Sequence, residues 1–191
     1  MKNAVSLIVC PIFEDELKAV LPSDSELTLH MMDSIIHSNP KLMKQELTNA
    51  IAEVRNRNTD ICLMVGCECD CELSIKQIAK DAKAKHPSGK NCIEIILGPE
   101  RTKELQNDRT IIFTQGWVRM IKNALENGLW SEVDVRTNYG YFDRILLLAY
   151  GIASLSDFQI LSLYDLIQVP IEIEQVNLDY FKSVVDSFLE E

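Results

Sequence analysis

Cys67, Cys69 and Cys71 stand at alternate positions in the stretch VGCECDCEL, directly after the apolar run 61–65. Thiolates bind zinc at about 2.3 Å, and a structural zinc takes four protein ligands where a catalytic one keeps a position open. The gaps here are tighter than the usual two-residue spacing. In an extended chain, however, alternate side chains share a face, so two of the three can reach one ion. Cys10, Cys92 and either His37 or His86 are available to complete such a site. A disulfide inside the cluster is disfavoured, because an extended chain holds the α-carbons near the upper limit of bridging geometry. Glu68, Asp70 and Glu72 alternate with the thiols. Carboxylates beside a thiol disfavour a bare nucleophile, and a bound cation removes that objection. If the cluster is chemical, a metal site is the favoured form.

The competing explanation is packing, since free cysteine behaves as a small hydrophobe. Cys62, inside the apolar run, reads as core, and Cys10 and Cys92 taken singly read the same way. His30 lies in a strand-like segment and His86 in a loop beside Pro87-Ser88-Gly89. His37, just ahead of Asn39-Pro40, is the best-placed histidine. The chain has no GxxxxGK[ST] or GxGxxG phosphate loop and no GxSxG elbow, so nucleotide binding and serine hydrolysis lack support. Lys80, Lys83, Lys85 and Lys90 read as a solvated helix face and loop.

These residues need elements to position them. The run 3–10 is apolar and β-branched on both faces, as in a strand covered by helices on each side, and it stops at Pro11. Residues 13–21 read as a short helix and 26–32 as the next strand. Asn39-Pro40 opens a helix, with Asn as N-cap and Pro at the first helical position. Met43, Leu47, Ala50, Ile51 and Val54 then share one face. The run 61–65 is a second buried strand, and 74–85 a helix with Ile75, Ile78, Ala79 and Ala82 on one side. Residues 91–98 favour a strand by length, although Asn91 is placed to cap a short helix running toward Leu105. A strand at 110–114 leads into Gln115-Gly116-Trp117, then a helix carrying Val118, Ile121, Ala124 and Leu125 that closes near Gly128. The run 145–149 is a central strand, 157–167 a helix and 170–176 a strand. From Asn177 a last helix buries Phe181, Val184, Val185, Phe188 and Leu189.

Strands alternating with helices, without linker or repeat, predict one α/β domain over residues 1–191, three-layered, with a largely parallel sheet flanked by helices. A ligand then lies beyond the carboxyl ends of the strands. Cys10, Cys67, the segment 114–117 and Tyr150-Gly151 all follow strands. In one parallel sheet they open on one edge. Thr114, Gly116 and Trp117 are the candidates there for contact with a cofactor.

A net charge of −10 repels phosphate backbones and argues against nucleic acid as a partner. No apolar run approaches the roughly 20 residues of a membrane span. The first residues lack a signal peptide's apolar core, and six cysteines without such a signal read as reduced thiols. The expected location is the cytoplasm.

Several segments together carry a resemblance. They are Cys10 followed by Phe13-Glu14-Asp15-Glu16-Leu17, His37-Ser38-Asn39-Pro40-Lys41-Leu42, the strand 61–66 with cysteine after it, and Asn91-Cys92-Ile93 leading into Leu97-Gly98. Phe113-Thr114-Gln115-Gly116-Trp117 and Gly140-Tyr141-Phe142-Asp143-Arg144 complete the set. With these the chain resembles, over nearly its whole length, an uncharacterised prokaryotic family, domain of unknown function 1638. Members of that family are often encoded near corrinoid-dependent methyltransferases of anaerobic one-carbon metabolism. The family pattern has a cysteine after the first strand, another in a glycine-containing loop after a later strand, and a His-Asp-Cys triplet. The resemblance assigns these places to Cys10, to Cys67 or Cys69, and to Cys92. Here Lys90-Asn91 replace His-Asp, and the glycine loop has become Cys-Glu-Cys-Asp-Cys, whose extra thiols can compensate for a lost histidine.

The resulting expectation is a protein that binds zinc or iron through Cys10, His37, Cys67, Cys69 and Cys92. It would serve corrinoid-dependent methyl transfer, with a corrinoid or methyltransferase protein as partner. The alternative is an accessory or binding module of such a system that holds no metal.

Overall fold

Parallel strands joined through helices organise both halves of the chain. The computed structural model describes residues 5–22, 27–33, 40–55, 60–66, 68, 74–107, 109–151 and 155–189. In chain order the first elements are β1 (Val5–Val9), a 3-10 turn (Pro11–Phe13), α1 (Glu14–Val20), β2 (Thr28–Met31), α2 (Pro40–Arg55), β3 (Asp60–Met64), α3 (Ile75–Ala82) and α4 (Cys92–Leu97). There follow α5 (Pro99–Leu105), β4 (Thr110–Phe113), α6 (Gln115–Glu126), α7 (Glu132–Tyr139), β5 (Arg144–Ala149), α8 (Asp157–Ile167), β6 (Ile171–Gln175) and α9 (Asp179–Leu189). Contacts divide the chain into two compact units, Met1–Pro99 with Leu178–Glu191, and Glu100–Asn177. The fold is of the α/β class, and every strand pairing among the described residues is parallel. The strands are shared between two three-stranded sheets.

The first unit holds the sheet β2-β1-β3, with Val9 opposite both Met31 and Met64. β1 and β3 are buried along nearly their whole length, which suits their unbroken aliphatic sequence. α2 begins at Pro40 and buries Met43, Leu47, Ala50, Ile51 and Val54, the face read from their spacing. α3 is capped by Ser74, whose hydroxyl accepts from the Gln77 N–H. Beyond it the backbone of Lys85 exchanges hydrogen bonds with Ile61 and Leu63 at 2.9 and 2.8 Å, adding a single bridge beside β3. α9 returns to this unit, and its Phe181 ring stacks on Phe13 with centroids 5.7 Å apart.

Residues Cys92–Leu97 are helical, which corrects the strand favoured by the length of the run 91–98. Asn91 Oδ1 accepts the Glu94 N–H at 3.0 Å and caps α4, so cap chemistry outweighs the apolar run. Gly98 ends the helix at a φ of +82°, where a side chain is strained, and a Cβ there would also meet the Tyr180 ring at 3.1 Å.

The second unit holds the sheet β4-β5-β6, with Phe113 opposite Leu147 and Leu147 opposite Ile173. Its core gathers Phe113, Met120, Ile121, Val135, Tyr139, Leu147 and Leu163 among others. The Arg144 guanidinium spans the sheet, reaching Thr110 Oγ1 at 3.0 Å and Glu172 Oε2 at 2.9 Å. α7 was not apparent from periodicity, because it buries only Val135 and Tyr139. It is set instead by a capping box, in which Ser131 Oγ accepts the Asp134 N–H and Asp134 Oδ2 accepts the Ser131 N–H. No helix among the described residues is long and apolar enough to cross a membrane.

Candidate functional site

Cys10 follows β1 at the carboxyl edge of the first sheet. Its N–H donates to the Met64 carbonyl at 3.0 Å, carrying the β1–β3 ladder one residue past the strand. Its own carbonyl accepts the Phe13 N–H at 3.0 Å, closing the 3-10 turn. Pro11, with no N–H to offer, turns the chain immediately. The backbone of Cys10 therefore shapes this corner, and its side chain makes no cap bond to the turn. The residue is 2% exposed.

β3 runs out beside Cys10 into buried Val65 and Gly66. The Glu68 N–H then donates to the Lys90 carbonyl at 2.7 Å. This bond stitches the segment after β3 to the segment leading into α4. Lys90 is itself held, its N–H donating to Glu94 Oε2 at 2.9 Å. Gly89 passes so close to α4 that a Cβ would come within 2.5 Å of Ile95 Cγ1. Two residues beyond Lys90, Cys92 begins α4 and is 5% exposed. Cys10 and Cys92 are thus buried thiols outside any disulfide. Cys10 is bonded through its backbone to the end of β3, and Cys92 lies two residues beyond the Lys90 that Glu68 contacts.

Residues 31–185 match a family described as a protein of unknown function, DUF1638. The chain belongs to that family. No curated protein and no solved structure matches it. The DUF1638 match begins at Met31, so Cys10 precedes it, while His37, Cys67, Cys69, Cys92 and the segment 114–117 fall inside it.

Within this DUF1638 protein, His37, Cys67, Cys69 and Cys71 lie outside the described residues. Among the described residues no group of three or more His, Cys, Asp or Glu side chains converges as a metal site. Cys10 and Cys92 alone are two donors of the right kind, since thiol sulfur suits zinc and iron. Asn91, one residue before Cys92, has its amide oxygen engaged as the α4 cap. The other histidines have local contacts. His30 Nδ1 lies 3.9 Å from Glu53 Oε2, and His86 Nδ1 is 2.7 Å from the Pro87 carbonyl oxygen. Cys62 is fully buried inside β3, and burial pushes its thiol up to about 11 against the lowering effect of Lys85. It packs, and burial disfavours its thiolate.

Thr114, Gly116 and Trp117 sit at the carboxyl edge of the second sheet. The four post-strand loops expected on one edge therefore divide between the edges of two sheets. The segment 114–117 is a helix start and not a loop. Thr114 Oγ1 caps α6 by accepting the Trp117 N–H at 3.3 Å, Gly116 is buried in the first turn, and Trp117 stacks on Phe113 with centroids 6.1 Å apart. Each has a structural task there. The tie between Glu68 and Lys90 left no mark in the sequence, because a backbone bond between irregular segments carries no residue preference.

Proposed function

We propose that this protein holds a zinc or iron ion at the carboxyl edge of the β2-β1-β3 sheet and serves corrinoid-dependent methyl transfer in one-carbon metabolism. The supporting observation is the backbone stitching of that corner, Cys10 to Met64 and Glu68 to Lys90, which gathers cysteine-bearing segments from three parts of the chain. Cys10 and Cys92 are its buried donors, and Cys67, Cys69 and His37 supply the remaining ligands. An ion held this way supplies Lewis-acid activation of a substrate thiol or water. The chain contributes two buried thiols and a backbone tie between the segments that carry the ligands. A corrinoid rides on a partner protein in this reading, and the cytoplasm keeps the thiols reduced.

Elemental analysis of tag-free protein, prepared and reconstituted anaerobically, tests the proposal. About one equivalent of zinc or iron per chain is expected. Less than about a tenth of an equivalent of any transition metal, well short of one ion per site, rejects it and leaves the metal-free accessory module.

A further inference from the structure

In the second unit, α8 is apolar on both sides. Its inner side carries Leu163 and Ile167 into the core, with Ile160 and Leu166 packed against that core. Its outer side leaves Phe158 77% and Leu161 61% exposed, with Tyr164 exposed beside them. A helix apolar all round is normally covered on both sides, and contiguous exposed apolar surface marks an interaction site. Next to this outer side, α6 and α8 enclose a groove of about 350 Å³, lined by Val118, Ile121, Leu125, Leu163 and Leu166 together with Phe158. A large exposed ring and an apolar groove therefore lie on the same face.

The charges on this face are complementary to each other. Phe158, Leu161 and Asp165 follow one stripe of α8 at i, i+3 and i+7. Lys122, midway along the α6 wall, is the only charged residue that lines the groove among the described residues. Its contact with Glu126, at 3.7 Å between exposed groups, is loose enough to leave the ammonium mobile. Two α8 helices set antiparallel about a two-fold axis near Leu161 put Phe158 of each copy opposite Asp165 of the other. The Asp165 carboxylate then overhangs a groove whose lining charge is Lys122, and the Phe158 ring enters that groove. A two-fold contact needs one patch to be complementary to itself, residue i meeting j and j meeting i. Knob with groove, and aspartate with lysine, satisfy that requirement twice over.

We infer that the α6–α8 face is the interface of a two-fold symmetric dimer, and that its occupant is a second copy of this chain. The inference is independent of any metal. Sedimentation velocity of the full chain over a dilution series tests it. The wild type sediments as a dimer, and Phe158→Glu weakens association about a hundredfold, the scale of a central aromatic anchor. Because Phe158 is mostly exposed in the single chain, that variant melts as the wild type does at a dilution where both are monomeric. Lys122→Glu and Asp165→Lys each weaken the dimer, and the double variant, with the charges exchanged, regains most of the loss. A wild type that is monomeric at about 100 µM, where a micromolar complex is filled, overturns the inference. So does a dimer indifferent to Phe158→Glu, or a double variant no stronger than the singles. A monomer that carries a different protein on this face also decides against a second copy.

Discussion

At the carboxyl edge of the β2-β1-β3 sheet the chain places a buried thiol, Cys10 after β1, and a second buried thiol, Cys92, begins α4 two residues past the Lys90 that bonds Glu68. At the carboxyl edge of β4-β5-β6 it places Thr114 and Trp117, a cap and a stacking ring. Both edges come from the same parallel construction, and both are where ligands collect in open α/β sheets. They differ in what explains the side chains. Thr114 is accounted for by the N–H it accepts from, and Trp117 by the ring it covers. At Cys10 the backbone extends the β1–β3 ladder and closes the 3-10 turn, and the side chain is buried without capping that turn. A place after a parallel strand is thus weak evidence of function by itself.

Substitutions can break or sharpen that contrast. The largest effect is expected at the second edge, where Phe113 is fully buried between Trp117 and Tyr139. Phe113→Ala should cost about 3–5 kcal/mol in denaturant unfolding while leaving metal content as in the wild type. Loss of metal in that variant would mean that the two edges are not chemically separate.

Cys62 is the internal control for sulfur without chemistry. Cys62→Ala should cost about 1–2 kcal/mol of packing and retain metal. Its pH behaviour gives a second readout. Burial, opposed by Lys85 and reinforced by Asp60, raises the folded thiol from about 9 to about 11. The folded state keeps the proton where the unfolded chain loses it. Stability from this group is therefore full below about pH 9 and is lost as the pH rises toward 11, at up to about 1.4 kcal/mol per pH unit. Urea titrations across that window should show a shallower fall for Cys62→Ala. Burial raises the Tyr139 hydroxyl above its usual value of 10.0 as well, so its own contribution is lost from about pH 10 upward, a loss that should persist in the variant. An unchanged slope would place Cys62 in a more polar setting than the fold gives it.

Removing the α6 cap with Thr114→Ala should cost about 1 kcal/mol, seen as a lower midpoint of thermal unfolding. A loss of ligand binding without that shift would instead return Thr114 to the site. The smallest effect belongs to Arg144→Ala. Its partner Glu172 is more than half exposed, so the loss should stay within about 1 kcal/mol and shrink in high salt.

Much of the architecture was legible because single elements announce themselves. α2 could be read residue by residue, since a 3.6-residue period and a Pro at the start leave little choice. β1, β3 and β5 follow from unbroken aliphatic runs. Residues 91–98 were harder, because a short apolar run suits either element and the decision rests on one Asn91 bond. α7 carries too few buried residues to show a period, although Ser131 and Asp134 stood at capping-box spacing. The division into two sheets depends on which strands pair, and no strand's own sequence states its neighbours. At the site, residue types were visible and proximity was not. Cys92 could be named, but the Glu68–Lys90 bond that brings its segment to the β3 end is written in backbone geometry alone.

The central claim is that the first edge uses its thiols while Cys62, inside β3, packs. The direct test is zinc and iron affinity by chelator competition on the anaerobic wild type, Cys10→Ser, Cys92→Ser and Cys62→Ala. The account predicts tight binding by the wild type and Cys62→Ala, with each edge variant weakened at least about tenfold, the scale seen when a metal site loses even a supporting contact. Equal affinity in all four proteins, or no binding by the wild type, would contradict it.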